Sequence, residues 1–230
     1  MAVTHSLPPG RSSSHSLCFE DQRAALREIG RMFHQRGWSL ATSSNYSVVV
    51  GADPLRLLLT ASGKHKGELT EHDFVMVDER GAAVEPDSPK PSAETLLHCV
   101  LAKLPGVGSI LHTHSVWGTV LSDVHHASGK LVIEGYEMLK GLEGIKTHEH
   151  RLEIPIFENT QDIPALANEL NDRLTDASAT ITHAFLIRRH GLYTWGRTVD
   201  EARRHVEALE FLFEVVGQRS QFDGGRQHSR

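Results

Sequence analysis

The sequence predicts a single α/β domain, on three observations. Segments with apolar residues at helical spacing alternate along the chain with short apolar runs of strand length. No Pro-, Gly- or Ser-rich linker divides the chain, and no repeat recurs within it. At 230 residues the chain is long enough to bury one sizeable core.

The elements follow in order. Residues 1–17 are rich in Ser, Pro and Gly and read as a disordered tail, with the folded domain expected over 18–217 and a polar tail over 218–230. From 18 to 36, Leu26, Ile29, Met32 and Phe33 recur at helical spacing, and Gly37 is a natural stop. TSSNYSVVV and PLRLLLT read as strands around the turn GADP. The Ser/Gly loop TASGKHKGEL follows, then the strand DFVMVD and a turn at ERGA. KPSAETLLHCVLAKLPG predicts a helix capped by Ser92 and closed at Pro105-Gly106. VGSILHTH is a strand, and SVWGTVLSDV opens a helix directly after it. LVIEGYEMLKGLEG mixes a short strand with a turn or short helix, RLEIPIF is a strand, and QDIPALANELNDRL is an amphipathic helix. HAFLIRRHGLYTWG holds two strands around a turn at His190-Gly191. A capping box from Thr198 to Glu201 opens a helix that should end near Val216, with Gly217 as its stop.

Composition narrows the function. Hydrophobic content of 39% and charged content of 23% are those of a soluble globular protein. A net charge of −5, with no basic patch interleaved with aromatics, argues against a nucleic-acid partner. No run of eighteen apolar residues offers a membrane span, and the N-terminus lacks a basic-then-apolar signal pattern, so a cytoplasmic location is expected. Two cysteines without CxxC spacing leave His and carboxylates to hold any metal.

The sixteen histidines matter through spacing rather than number. In ILHTHS an apolar strand ends in His112 and His114, which an extended backbone places on one face. FLIRRHG repeats the arrangement with His190, and Gly191 beside it permits a sharp turn and a close approach. A His-x-His pair with one distant His is an open tetrahedral metal site, three protein ligands and one free position. A second pair, His148 and His150 in THEHR, has no Gly-flanked third partner. His98 lies one helical turn after Glu94 and either orients it or sits in the core, while Trp117 and Tyr193 are candidate pocket walls or packing residues.

Taken in order, GWSLATSSNYSVVV, LTASGKHKGELTEHDFVMVD, KPSAETLLH, ILHTHS and FLIRRHGLYTWG resemble the class II aldolase/adducin family over roughly residues 19–216. The resemblance implies a three-layer α/β/α domain around a mainly antiparallel sheet, assembled as a homotetramer with sites between subunits. It implies one zinc ion per subunit on His112, His114 and His190, and a small sugar-phosphate substrate. GYEMLKGLEG further resembles the branch that dehydrates methylthioribulose 1-phosphate in methionine salvage. Glu137 then matches its acid/base glutamate, and Glu94 the aldolase acid/base, although a Glu in a helix's first turn is also favoured by the macrodipole. Ser43, Ser44, Asn45, Ser62, Gly63 and Lys64 in the two polar loops, with Ser92, offer hydroxyls, amides and a cation for the phosphate. Many family members carry Gly where Ser44 stands. The metal would serve dehydration, aldol cleavage or epimerisation alike as a Lewis acid, so acid/base groups and pocket must select among these. A non-catalytic adducin-like binding role is the alternative of another class; such members lack the three histidines.

Overall fold

The computed structural model describes residues 13–176 and 181–227, with side chains described over 19–176 and 181–222. Its helices are α1 (Ser13–Gln35), α2 (Thr95–Leu101), α3 (Val116–Val124), α4 (Ile163–Thr175) and α5 (Val199–Gln227). Its strands are β1 (Asn45–Ala52), β2 (Leu55–Thr60), β3 (Phe74–Asp78), β4 (Ser109–Thr113), β5 (Lys130–Ile133), β6 (Leu152–Phe157), β7 (Ala184–Ile187) and β8 (Gly191–Gly196). They form one sheet in the order β3-β2-β1-β4-β8-β7-β6-β5, in which only β6 and β7 pair in parallel.

Helices cover both faces. Leu97 and Leu101 of α2 and Leu166 and Leu170 of α4 pack on Ile110, Phe185 and Tyr193. On the opposite face, Leu209, Leu212 and Phe213 of α5 and Leu121 of α3 pack on Leu131, Leu186 and Leu192. Leu26, Ile29 and Phe33 of α1 join that layer over Val48, Leu111 and Val206. This is the expected α/β/α sandwich. Alternation along β4 sends Ile110 and His112 toward α2 and α4, and Leu111 and Thr113 toward α1 and α5.

Three boundaries differ from expectation. Helix α1 already begins at Ser13, because the last strong breakers, Pro8, Pro9 and Gly10, precede it; residues 1–12 of the expected tail lie outside the described residues. Ser92 does not cap α2: its hydroxyl accepts the Glu94 amide (3.3 Å) in a turn before the helix. Helix α5 runs through Gly217 to Gln227. Gly217 is not a stop but a notch, since a Cβ there would stand 2.1 Å from the Trp117 ring. The capping box does open α5, with the Thr198 hydroxyl accepting from the Glu201 amide at 3.1 Å.

Candidate metal centre and substrate pocket

Strand register builds the centre. Asn45 on β1, His112 on β4 and Tyr193 on β8 stand side by side across three adjacent strands. The Tyr193 ring stacks on His112, with centroids 4.0 Å apart and planes 13° apart. Burial first, and the Glu94 carboxylate next, push the Tyr193 hydroxyl pKa well up, so it stays protonated. His114 follows the end of β4 and is fixed by its amide, which donates to the Trp38 carbonyl at 2.7 Å. His190 closes the turn before β8, where the hydroxyl of Thr119 on α3 donates to its carbonyl at 3.0 Å.

The three imidazoles converge on one point. Nε2 of His112 lies 2.8 Å from that of His114 and 3.3 Å from that of His190, and the last two are 3.1 Å apart. Nitrogens bonded to a tetrahedral zinc ion stand about 3.3 Å apart, so the set is close to closing on a cation. The His112 Nδ1–H donates to the Leu192 carbonyl at 2.8 Å, which leaves its Nε2 lone pair facing the other rings. Burial, then the charges of neighbouring histidines, hold His112 well below the usual imidazole range. Burial, then His190 and Lys66, bring His114 down to about 3. Both rings are therefore neutral, as metal ligands must be. Glu94 adds a carboxylate, with Oε1 3.2 Å from His190 Nε2 and Oε2 3.6 Å from His112 Nε2. Lone pairs gathered this tightly need a positive centre, and the donor set fits a divalent metal. Among the described residues, no other group of three His, Cys, Asp or Glu converges in this way.

A buried relay sets Glu94. The Ser47 hydroxyl donates to His98 Nδ1 at 2.7 Å, His98 Nε2 donates to the Asn45 side-chain oxygen, and Asn45 Nδ2 donates to Glu94 Oε2 at 2.8 Å. Burial lowers the His98 pKa to about 3, so the ring keeps the single proton that the relay requires. His98 is thus both a core residue and, through Asn45, the group that orients Glu94.

Glycine at 191 is obligatory. A Cβ there would stand 1.9 Å from the Thr113 carbonyl oxygen and 3.3 Å from the His112 ring. We expect Gly191→Ala to force β4 and β8 apart between His112 and His190, costing about 3 kcal/mol of stability and much of the metal affinity. Denaturant unfolding with metal analysis checks this, and wild-type values for both would refute the argument.

A cavity of about 160 Å3 opens beside the histidines. Ser43, Ser44, Asn45, Ser62, Gly63 and Ser92 line it, and Glu94, His114 and His190 form its inner wall. Six of the seven residues singled out for phosphate are therefore gathered in one place. Ser44 has φ +70°, the left-handed conformation that glycine adopts freely, so a glycine would fit this position without strain. Lys64 turns away and pairs with Asp73 at 2.8 Å. Lys66, which sequence reasoning passed over, lines the cavity instead and is 1% exposed.

Other singled-out residues lie elsewhere. Glu137 begins the short 3-10 turn Glu137–Gly141, is 68% exposed at its side chain, and pairs with Lys140 and with His148 at 3.2 Å. Lys140, then the His148 charge, hold its carboxyl below the usual range. His148 and His150 occupy a turn before β6, not a strand face, because residues 145–150 make no ladder pairing. Trp117 packs on Gly217 between α3 and α5 and is absent from the cavity lining.

Sequence reasoning also missed Glu210, a buried acid on α5 whose Oε1 accepts from the Thr113 hydroxyl at 2.6 Å. Burial pushes its carboxyl up to about 7, against hydrogen bonds from Ser115 and Thr113. Below the unfolded carboxyl pKa both states are protonated; as pH rises toward 7 only the unfolded state ionises, so stability falls over this window. The Glu210→Gln variant should show a smaller loss between pH 5 and 8, the difference approaching about 3 kcal/mol. Parallel stability–pH curves for the two proteins would refute this.

Comparison with known proteins shows the family and the fold. The Class II Aldolase and Adducin N-terminal domain matches residues 24–216. A methylthioribulose-1-phosphate dehydratase of Marinobacter nauticus is 52% identical over 191 residues, covering 83% of this chain and 89% of the relative. One from Methylococcus capsulatus is 45% identical, covering 87% and 95%. The crystal structure of L-fuculose-1-phosphate aldolase from Thermus thermophilus superposes with a TM-score of 0.70 at 22% identity, covering 90% of this chain and 98% of that one, and shares the fold. With the match spanning almost the whole described domain, the chain belongs to the class II aldolase and adducin family.

Proposed function

We propose that this protein is a zinc-dependent lyase that removes water from 5-methylthioribulose 1-phosphate to give 2,3-diketo-5-methylthiopentyl 1-phosphate, a cytoplasmic step of methionine salvage. The carrying observation is the juxtaposition of three convergent histidines with a hydroxyl-lined cavity, in a chain about half identical to curated dehydratases. Zinc on His112, His114 and His190 would supply Lewis acidity toward the substrate's oxygens.

The chain's own residues supply the rest. The polar loops at 43–45 and 62–63, with Ser92, hold the phosphate end. Glu94, oriented by Asn45 and facing the cavity, takes the proton from C3. Glu137 delivers a proton to the departing C4 hydroxyl, and since it does not line this cavity we assign it to a neighbouring subunit's site. Burial at such an interface would desolvate Glu137 and raise its pKa, as a proton donor requires. An apolar stripe supports association: Val116, Val120 and Val124 lie four residues apart on α3, 67%, 43% and 68% exposed, in the helix that follows His114. We assign a homotetramer on this basis and on the family resemblance.

Product identification tests the reaction. Proton and phosphorus NMR of methylthioribulose 1-phosphate with zinc-loaded protein should show the diketone phosphate, and a chelated control should not. Dihydroxyacetone phosphate with a methylthio aldehyde would make the protein an aldolase. Unchanged substrate in both samples would refute the assigned substrate.

A further inference from the structure

Lys66 is a buried cation with no ion pair of its own: the Asp73 carboxylate, which pairs with Lys64, reaches it only as a longer-range charge. Its side chain is 1% exposed, yet among the described residues no carboxylate oxygen lies within 4 Å of its nitrogen. The ammonium has three donors, and one of them is used by the Lys64 carbonyl at 2.8 Å. Such a group is costly to bury unless an anion completes it.

Its position is enforced by the backbone. Gly30 in the middle of α1 is a notch for this residue: a Cβ there would stand 2.2 Å from the Lys66 carbonyl oxygen. Gly67 gives the reciprocal clearance, since a Cβ on it would stand 2.8 Å from the His34 ring. Arg27 Nε ties down the far end of the loop through the Leu69 carbonyl at 3.0 Å. The lysine is therefore held against α1 where it lines the cavity with Ser43, Ser44, Ser62 and Gly63. Lys64, two residues earlier, is neutralised by Asp73 and does not line the cavity.

We infer that Lys66 is the charge partner of a phosphate monoester dianion in this cavity, and that it makes the site selective for phosphorylated over unphosphorylated sugars. The inference rests on the proposed sugar-phosphate reading for its ligand class, and on the unpaired ammonium for its location. A lysine suits this role because it presents a compact point charge that the surrounding hydroxyls and amides can supplement.

Calorimetric titration of the metal-loaded protein with ethyl phosphate tests it without turnover. We expect Lys66→Met to weaken binding at least tenfold, Lys66→Arg to restore part of the loss, and Lys64→Met to bind as the wild type does. Binding by Lys66→Met within twofold of wild type, or no binding by the wild type, overturns the inference. Should Lys66→Met not fold, the wild type still decides. Burial lowers the lysine pKa to about 8, so binding at pH 8.5 should take up protons, read as a dependence of the apparent enthalpy on buffer ionisation; no uptake overturns the inference. The two readings fail separately. A protein that binds ethyl phosphate through Lys66 but leaves methylthioribulose 1-phosphate intact keeps this inference and loses the dehydratase. One that dehydrates the substrate while Lys66→Met binds normally does the reverse.

Discussion

Replacing His114 with Ala is expected to remove bound metal and to lower turnover by about three orders of magnitude or more, since two remaining imidazoles make a weak site for a divalent ion. The fold should survive. His114 is held through its backbone amide, and its side chain contacts the other two ligands rather than the apolar core. Elemental analysis beside a circular dichroism spectrum separates metal loss from unfolding. Full metal occupancy in the folded variant would show that the three rings do not form the centre.

Glu137→Gln should have a comparable effect on turnover for a different reason. Metal content should remain at the wild-type level, because among the described residues the Glu137 carboxylate pairs with Lys140 and His148 and not with the three histidines. Loss of a general acid costs about 10²- to 10⁴-fold. If Glu137 serves a neighbouring subunit, mixing this variant with His114→Ala should assemble some sites with an intact metal centre and an intact acid. Activity should then exceed that of either parent. Unchanged turnover in Glu137→Gln would end its assigned role, and mixtures no more active than the parents would end its placement across the interface.

The three histidines could be singled out from sequence because they lie in or just beyond apolar strands: periodicity sets the face of His112, while His114 follows the end of β4 and the turn before β8 brings in His190. The polar loops were legible for a similar reason: turn-forming Ser and Gly beside strands expose amides and hydroxyls. Lys64 and Lys66 were not separable, since they lie two apart in one loop and only the tertiary fold pairs one with Asp73 and buries the other. A faint signal existed in Gly30, an unfavourable residue inside a helix that otherwise lacks breakers over 19–35. Glu210 also left a trace. It falls on the same helical stripe as Val206, Leu209 and Phe213, where an acid is out of place. Gly217 misled because the residue type that ends helices also admits a ring against a helix backbone.

The row Asn45–His112–Tyr193 joins positions far apart in the chain. Until β8 emerges from the ribosome, β4 has β1 on one side and an open edge on the other, and His190 has not yet reached His112 and His114. Contacts this remote in sequence form late, because loop closure must come before they stabilise anything. Metal capture would therefore be a late event in the life of a nascent chain, and an ion held by all three histidines would certify that β4 and the turn before β8 have met.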